Sequence, residues 1–542
     1  MLKPTLPDYD IAEWRRQPFP ERLRQVCGAW AMQGYGSPAG VYALYAAKIA
    51  AYVAAWAVSC TFTPGYALAD IGSWWASDVA FQKAVLWTML FEGLGLGCGS
   101  GPLTGRYLPP FGGALYFLRP GTTKLPLLRV LGHRRGWLDV ALYAALVVLL
   151  LRALTAPAIG AAHLVPIVVL VPVLGVLDKT VFLALRSEHW LSVAICLLFA
   201  DWVAGAKVVW LAVWWWAATS KVNRHFPAVM CVMVSNAPFS PAWLKRRMYR
   251  SFPDDLRPSA FAATLTHFGT VLEYAFPLAL LLSDGGPVTT AALVVMTVFH
   301  LFILVQVPMG VPLEWNVAMV YGGWVLYGVH AAVGIGSIGS PVLAAWLAAF
   351  HVALPLYGSF YPDRVSFLLA MRYYAGNWAC SVWLFREGAS EALDRRLVKW
   401  SMGVQRQLGH FYDRDTIDAL LSKVIAFRAM HLHGRALREL VPRAVDDVDR
   451  REWLDGEIVA GLVLGWNFGD GHLHGLRLLE AVQAQCGFAP GDLRVVMIES
   501  EAMFSGRQAW TVADAADGVL ARGEVVVADL AERQPWAERA PG

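Results

Sequence analysis

Thr289-Thr-Ala-Ala-Leu-Val-Val-Met-Thr-Val-Phe-His300-Leu-Phe-Ile-Leu-Val-Gln306-Val307 decides the fold: it holds one imidazole and no Asp, Glu, Lys or Arg. About 20 apolar residues rising about 1.5 Å each cross a hydrocarbon core about 30 Å thick. Every backbone N–H and C=O in that core must be bonded internally, so such a run is a helix. Comparable runs occupy residues 41–62, 79–96, 137–156, 164–185, 190–219, 261–282, 317–332 and 342–357. We therefore expect an α-helical polytopic membrane protein of eight to ten spans with a small C-terminal cytosolic α/β domain.

Composition agrees. Of 542 residues 57% are hydrophobic and 16% charged, against about 25% charged in an average soluble domain. The net charge of +4 gives no reason to expect nucleic acid. Seven scattered cysteines without a CxxC support neither a disulfide scaffold nor a zinc ribbon. The first 40 residues are polar, with Arg15, Arg16, Arg22 and Arg24, so no cleavable leader is expected.

Short loops rich in Lys and Arg stay in the cytoplasm. Basic clusters lie in the N-terminal segment, at Arg106–Arg135, at Lys245–Arg250 and at Arg386–Lys399, whereas 63–78 and 283–287 carry acid and no base. Both termini are thus expected on the cytoplasmic side of the cytoplasmic (inner) membrane. The run 190–219 is about 45 Å long as one helix; a break near 201–205 restores the charge rule. Four regions follow: a cytosolic amphipathic segment (1–40), a helix bundle (41–360), an interfacial segment rich in Arg, Tyr and Trp (361–401), and a soluble α/β domain (402–542). In the last, periodicity predicts helices over 416–440 and 476–486 and strands over 493–499 and 523–529. His-Leu-His-Gly occurs there twice, at 431–434 and 472–475, as in a duplicated half-domain.

Ionisable groups in spans carry the functional signal. Glu92, Asp178, Lys179, Asp201, Lys207, His267, Glu273 and His300 each sit where a charge costs roughly 2.5–3.5 kcal/mol. Either they converge on a polar cavity or they pair between helices and fix packing. Lys221 follows Trp214, Trp215 and Trp216; beside a low-dielectric region a lysine can become an amine base, or it snorkels to the headgroups. Pro308, Gly310 and Pro312 interrupt a helix ahead of Glu314 and Asn316, leaving backbone N–H groups that could face a substrate oxygen. The glycines from Gly93 to Gly101 follow a span rather than a strand, so they are no dinucleotide fingerprint. Arg106 and Arg119 suit lipid phosphates. His431, His433, His472 and His474 are weak metal candidates.

Gly97-Cys-Gly-Ser-Gly-Pro-Leu-Thr-Gly-Arg106, Arg119-Pro-Gly-Thr-Thr-Lys124, Val311-Pro-Leu-Glu-Trp-Asn316, Arg372-Tyr-Tyr-Ala-Gly-Asn-Trp378 and Gly465-Trp-Asn-Phe-Gly-Asp-Gly-His472 together resemble a family of bacterial polytopic membrane proteins of unknown function, along nearly the whole chain. That resemblance implies a membrane protein and brings no activity. Ser220-Lys221-Val222-Asn223 is similar to a segment of vitamin K-dependent carboxylase-like (HTTM) membrane domains. This second resemblance implies a basic lysine at Lys221.

The expected function is an enzyme acting on a lipid or isoprenoid-like substrate in an intramembrane polar cavity. Lys221 or His300 would be the base, and Glu273, Glu314 and Asn316 would orient polar groups. Asn223, His267, Arg106 and Arg119 would contact the substrate. The alternatives are a lipid or small-molecule transporter and a membrane-anchored assembly factor without catalysis. The expected partners are membrane lipids and a hydrophobic small molecule. The sequence identifies neither a cofactor nor a protein partner for the C-terminal domain.

Overall fold

A computed structural model describes residues 3–97, 104–306, 313–366, 375–466 and 475–536. Among the described residues five helices are long and apolar enough to cross a membrane: Ala39–Cys60, Trp137–Leu154, Ala260–Leu282, Gly286–Val305 and Pro341–Phe360. Shorter helices pack among them, including Asp78–Gly93, Ala161–Leu177, Ser187–Cys196, Trp202–Ser220 and Leu313–Gly323. Val148, Val169, Val271 and Val298 are each 60% or more exposed. Apolar surface on that scale is expected where lipid, not water, is the neighbour. Inside, Trp190, Trp210, Met296, Trp315 and Leu326 are buried together. Two glycines let the helices approach closely: a Cβ at Gly322 would collide with the Trp210 indole, and one at Gly323 would lie 2.6 Å from the Met296 methyl carbon.

Two long apolar runs are interrupted. The 190–219 run divides into Ser187–Cys196 and Trp202–Ser220, so the break falls at 197–201, just before its expected place. There Asp201 accepts from the backbone N–H groups of Gly339 (2.7 Å) and Ser340 (3.1 Å). The 164–185 run is not one span. Ala161–Leu177 ends at Asp178, whose carboxylate caps the short Lys179–Ala184 helix by accepting from Thr180 N–H at 3.0 Å. The same carboxylate takes two nitrogens of Arg135, at 2.6 and 2.9 Å. Asp178 therefore satisfies a helix break rather than facing a mid-membrane cavity. Lys207 is paired locally too, donating to the carbonyls of His330 and Val333 at 3.0 and 2.6 Å.

The C-terminal region holds an antiparallel sheet of order β4-β3-β5-β6-β7. Its strands are β3 (Cys380–Arg386), β4 (Arg451–Asp455), β5 (Leu493–Ile498), β6 (Arg507–Asp514) and β7 (Gly518–Val526); β1 and β2 form a separate hairpin, Tyr249–Ser251 with Asp255–Pro258. With every pairing antiparallel, the arrangement is α+β, which corrects the α/β expectation. β3 corrects a second one. It falls within 361–401, expected at the membrane interface, yet Cys380–Phe385 are buried in the sheet. A two-residue alternation of aromatic rings serves a buried strand as well as an interfacial belt.

The helix expected over 416–440 divides at His431 into Arg414–Met430 and Leu432–Ala444. The strand expected over 523–529 ends at Val526, where a helix begins. At the other end of the chain, helix Phe19–Gln33 packs on Arg414–Met430, burying Leu23, Val26 and Trp30. Arg15 reinforces the contact through Asp415 at 2.7 Å and Asp418.

Candidate functional site

Charged side chains from separate elements meet inside the bundle. Lys48 comes from the Ala39–Cys60 helix, Glu92 from the last turn of Asp78–Gly93, and Glu314 from the first turn of Leu313–Gly323. Lys48 Nζ lies 3.1 Å from Glu314 Oε2 and donates to Gly97 O at 3.2 Å. A Cβ at Gly97 would collide with the Glu92 carboxylate and lie 3.0 Å from Glu314 Oε1, so both acids converge on that glycine. Glu92 and Glu314 are fully buried, and the Lys48 side chain is 14% exposed.

Arg186, Glu188 and His189 extend this cluster at the start of Ser187–Cys196. Arg186 Nε is 3.9 Å from Glu92 Oε1 and its Nη1 is 3.9 Å from Glu188 Oε1. Its φ of +53° is left-handed, a strained conformation costing of order 1–3 kcal/mol in a non-glycine residue. The guanidinium lies 5.6 Å from the Trp315 ring, and His189 meets the same ring edge-on at 4.9 Å. His189 Nδ1 is 3.6 Å from Glu188 Oε1. Neither carboxylate oxygen of Glu188 nor either ring nitrogen of the buried His351 has a hydrogen-bond partner among the described residues.

A second polar group lies on the neighbouring side of the Leu313–Gly323 helix. Lys221 and Glu273 form an ion pair, flanked by the Phe226 and Phe299 rings at 5.7 Å from the ammonium. The Trp214 indole N–H donates to His300 Nε2 at 3.1 Å, and His300 Nδ1–H donates to Asn316 Oδ1 at 2.8 Å. Both ring nitrogens of His300 are committed. In this arrangement it positions Asn316 and holds no free lone pair for a proton.

The structure thus brings Lys221 to Glu273 and His300 to Asn316, and sets Glu314 against Lys48. It separates the other candidates from these groups. His267 is exposed on the outer face of Ala260–Leu282. Asn223 is a turn residue: its Oδ1 accepts from the N–H groups of His225 (2.8 Å) and Phe226 (3.0 Å), where the next helix begins. Arg106 is buried against the C-terminal region and donates to Gly461 O at 2.6 Å; burial pulls it down to about 10. Arg119 donates to Lys399 O at 2.8 Å, over the Trp400 ring. His431 and His433 stack at 5.0 Å between ring centroids. His431 Nδ1–H donates to Phe427 O, and His433 Nδ1–H to Gly376 O while its Nε2 accepts from Arg428. His472 and His474 lie outside the described residues, among which no cluster of three or more His, Cys, Asp or Glu could hold a metal.

The family model described as transmembrane protein of unknown function (DUF3556) matches residues 1–541. The chain belongs to this family. No curated protein and no solved structure matches it. The chain is a membrane protein, as the whole-chain resemblance implied.

Lys48, Arg186, Glu188, His189 and His351 were not among the expected site residues. Lys48 and His351 lie inside the apolar runs 41–62 and 342–357, the same signal that singled out Glu273 and His300. Arg186-Ser-Glu-His189 falls between two runs and reads as a loop in the sequence; only its burial marks it.

Proposed function

We propose that the protein is an enzyme of the cytoplasmic membrane, with its N-terminal helices and C-terminal region in the cytoplasm, performing acid–base chemistry on a lipid or isoprenoid-like substrate. The observation that carries this reading is the convergence of Glu92, Glu314 and Lys48, from three helices, beside Gly97. Two carboxyl groups side by side in a dry site can divide the roles of proton donor and proton acceptor between them. Such help is typically worth roughly 10²–10⁴-fold. The Lys48 ammonium lies against Glu314, and its partial exposure on a helix with outward-facing Leu44, Val53 and Val58 suits an apolar substrate arriving from the side. Lys221–Glu273 and His300–Asn316 act as positioning groups.

The test compares lipid extracts of membranes holding the wild-type chain, E92Q or E314Q at equal folded yield. Conversion of a lipid species by the wild type that either substitution removes supports the reading. Identical profiles in all three overturn it. A carrier is the second reading, favoured by the helix break at 197–201, since broken helices line transport sites. Uptake of an unmodified solute into proteoliposomes would select it.

A further inference from the structure

A cleft of about 660 Å³ lies apart from the polar cluster, on the segment leading into the Ala260–Leu282 helix, lined among others by Trp243, Arg246, Arg247, Arg250, Phe252 and Phe261. Its frame is fixed. Lys245, in the short Ala242–Arg247 helix, donates to Met32 O at 3.0 Å. Met248 and Tyr249 are buried, and Tyr249 OH bonds Ser235 Oγ at 2.7 Å before the chain turns through the β1–β2 hairpin. Arg246, Arg247 and Arg250 stay exposed on this frame.

The charges do not cancel. Arg250 is held by Glu532 at 3.1 Å, and Arg257 pairs with Asp255 and Glu532. Among the described residues no carboxylate lies within 4.0 Å of Arg246 or Arg247. Aromatic faces orient both: Arg247 Cζ is 4.6 Å from the Phe261 ring and Arg246 Cζ 5.9 Å from the Phe252 ring.

The position limits what can arrive. Phe261 stands in the first turn of a membrane-spanning candidate, so the cleft opens where that helix enters the apolar layer. Trp243 lines it and is 64% exposed, and Phe239, four residues earlier in the chain, is 81% exposed, as rings at a membrane–water boundary are. Two uncompensated guanidiniums beside apolar rings at that depth match a phosphodiester carrying acyl chains.

We propose that this cleft binds the headgroup of an anionic phospholipid, Arg246 and Arg247 taking the phosphodiester and the acyl chains lying along Trp243 and Phe239. The site stands independently of the reading of the polar cluster. The test is native mass spectrometry of the full chain in detergent, titrated with dioleoyl phosphatidylglycerol or dioleoyl phosphatidylcholine. Phosphatidylglycerol should bind more tightly, and R246Q/R247Q should weaken it by about thirtyfold, since each cation near the surface contributes about a factor of five. Phosphatidylcholine binding should not change, excess inorganic phosphate should not compete, and the exposed control pair R395Q/R522Q should keep the preference. Equal binding of the two lipids, or a preference that survives R246Q/R247Q, overturns the site. So does equal loss in the control pair, which would mean that overall charge alone attracts the lipid. Displacement by inorganic phosphate overturns it in favour of a soluble-anion site.

Discussion

Lys48 reaches from the middle of an apolar helix to within 3.1 Å of Glu314, in the first turn of another. Each group has given up hydration, and each makes the other tolerable. Removing one leaves the other charged in a poor solvent, which costs about 3–5 kcal/mol for a buried pair. K48M and E314Q should each lower the thermal midpoint in detergent. The K48M/E314Q chain should be clearly more stable than the sum of the two losses implies. Strict additivity would show that the two groups do not interact.

Arg135 grips Asp178 with two nitrogens while Asp178 caps the Lys179–Ala184 helix. D178N should therefore cost more than a cap alone, about 3 kcal/mol or more. R135K should recover part of that loss relative to R135M, because an ammonium keeps the charge but not the fork. Chemical denaturation of the three variants orders them.

Gly322 leaves no room for a methyl group against Trp210. G322A should destabilise by about 1–3 kcal/mol through overpacking. W210F, which shortens the opposing ring system, should relieve part of that penalty in the double variant. Unfolding midpoints of the two single variants and the double test this directly.

Burial holds the His431 imidazole down to about 3 and that of His433 below its ordinary value, with Arg428 adding repulsion. In the unfolded chain each takes up a proton near 6.5. Below that pH the unfolded state binds more protons, so stability falls with falling pH, by about 1.4 kcal/mol per imidazole per pH unit once well below 6.5. The loss continues until the folded-state groups themselves protonate. Unfolding midpoints measured from pH 7.5 to 5 should show this slope, and H431N/H433N should flatten it. An unchanged slope would assign the pH dependence to other groups.

The bundle was legible because hydrophobic length is read directly from residues such as 289–307, and the intramembrane acids and imidazoles stood out against it. Glu273 and His300 found partners on other elements, Lys221 and Asn316. The helix break at Asp178 was hidden: Leu164 to Leu185 is apolar on both sides of one acid, and only Arg135, far away in sequence, turns that acid into a cap. The strand at Cys380–Arg386 was hidden for a related reason, since its partners β4 and β5 lie roughly 70–110 residues further on. Arg106 and Asn223 carry polar groups that suit a ligand, yet their own chain uses them. No local pattern distinguishes a guanidinium that binds phosphate from one that binds Gly461 O.

Helix Phe19–Gln33 rests on Arg414–Met430, almost four hundred residues downstream. A ribosome making this chain must release Leu23, Val26 and Trp30 long before their covering surface exists. Until then that greasy stripe needs a temporary shelter, a chaperone or the bilayer surface. The docking of the two ends is accordingly a late event in biogenesis, one that closes the molecule only after its spans have been inserted.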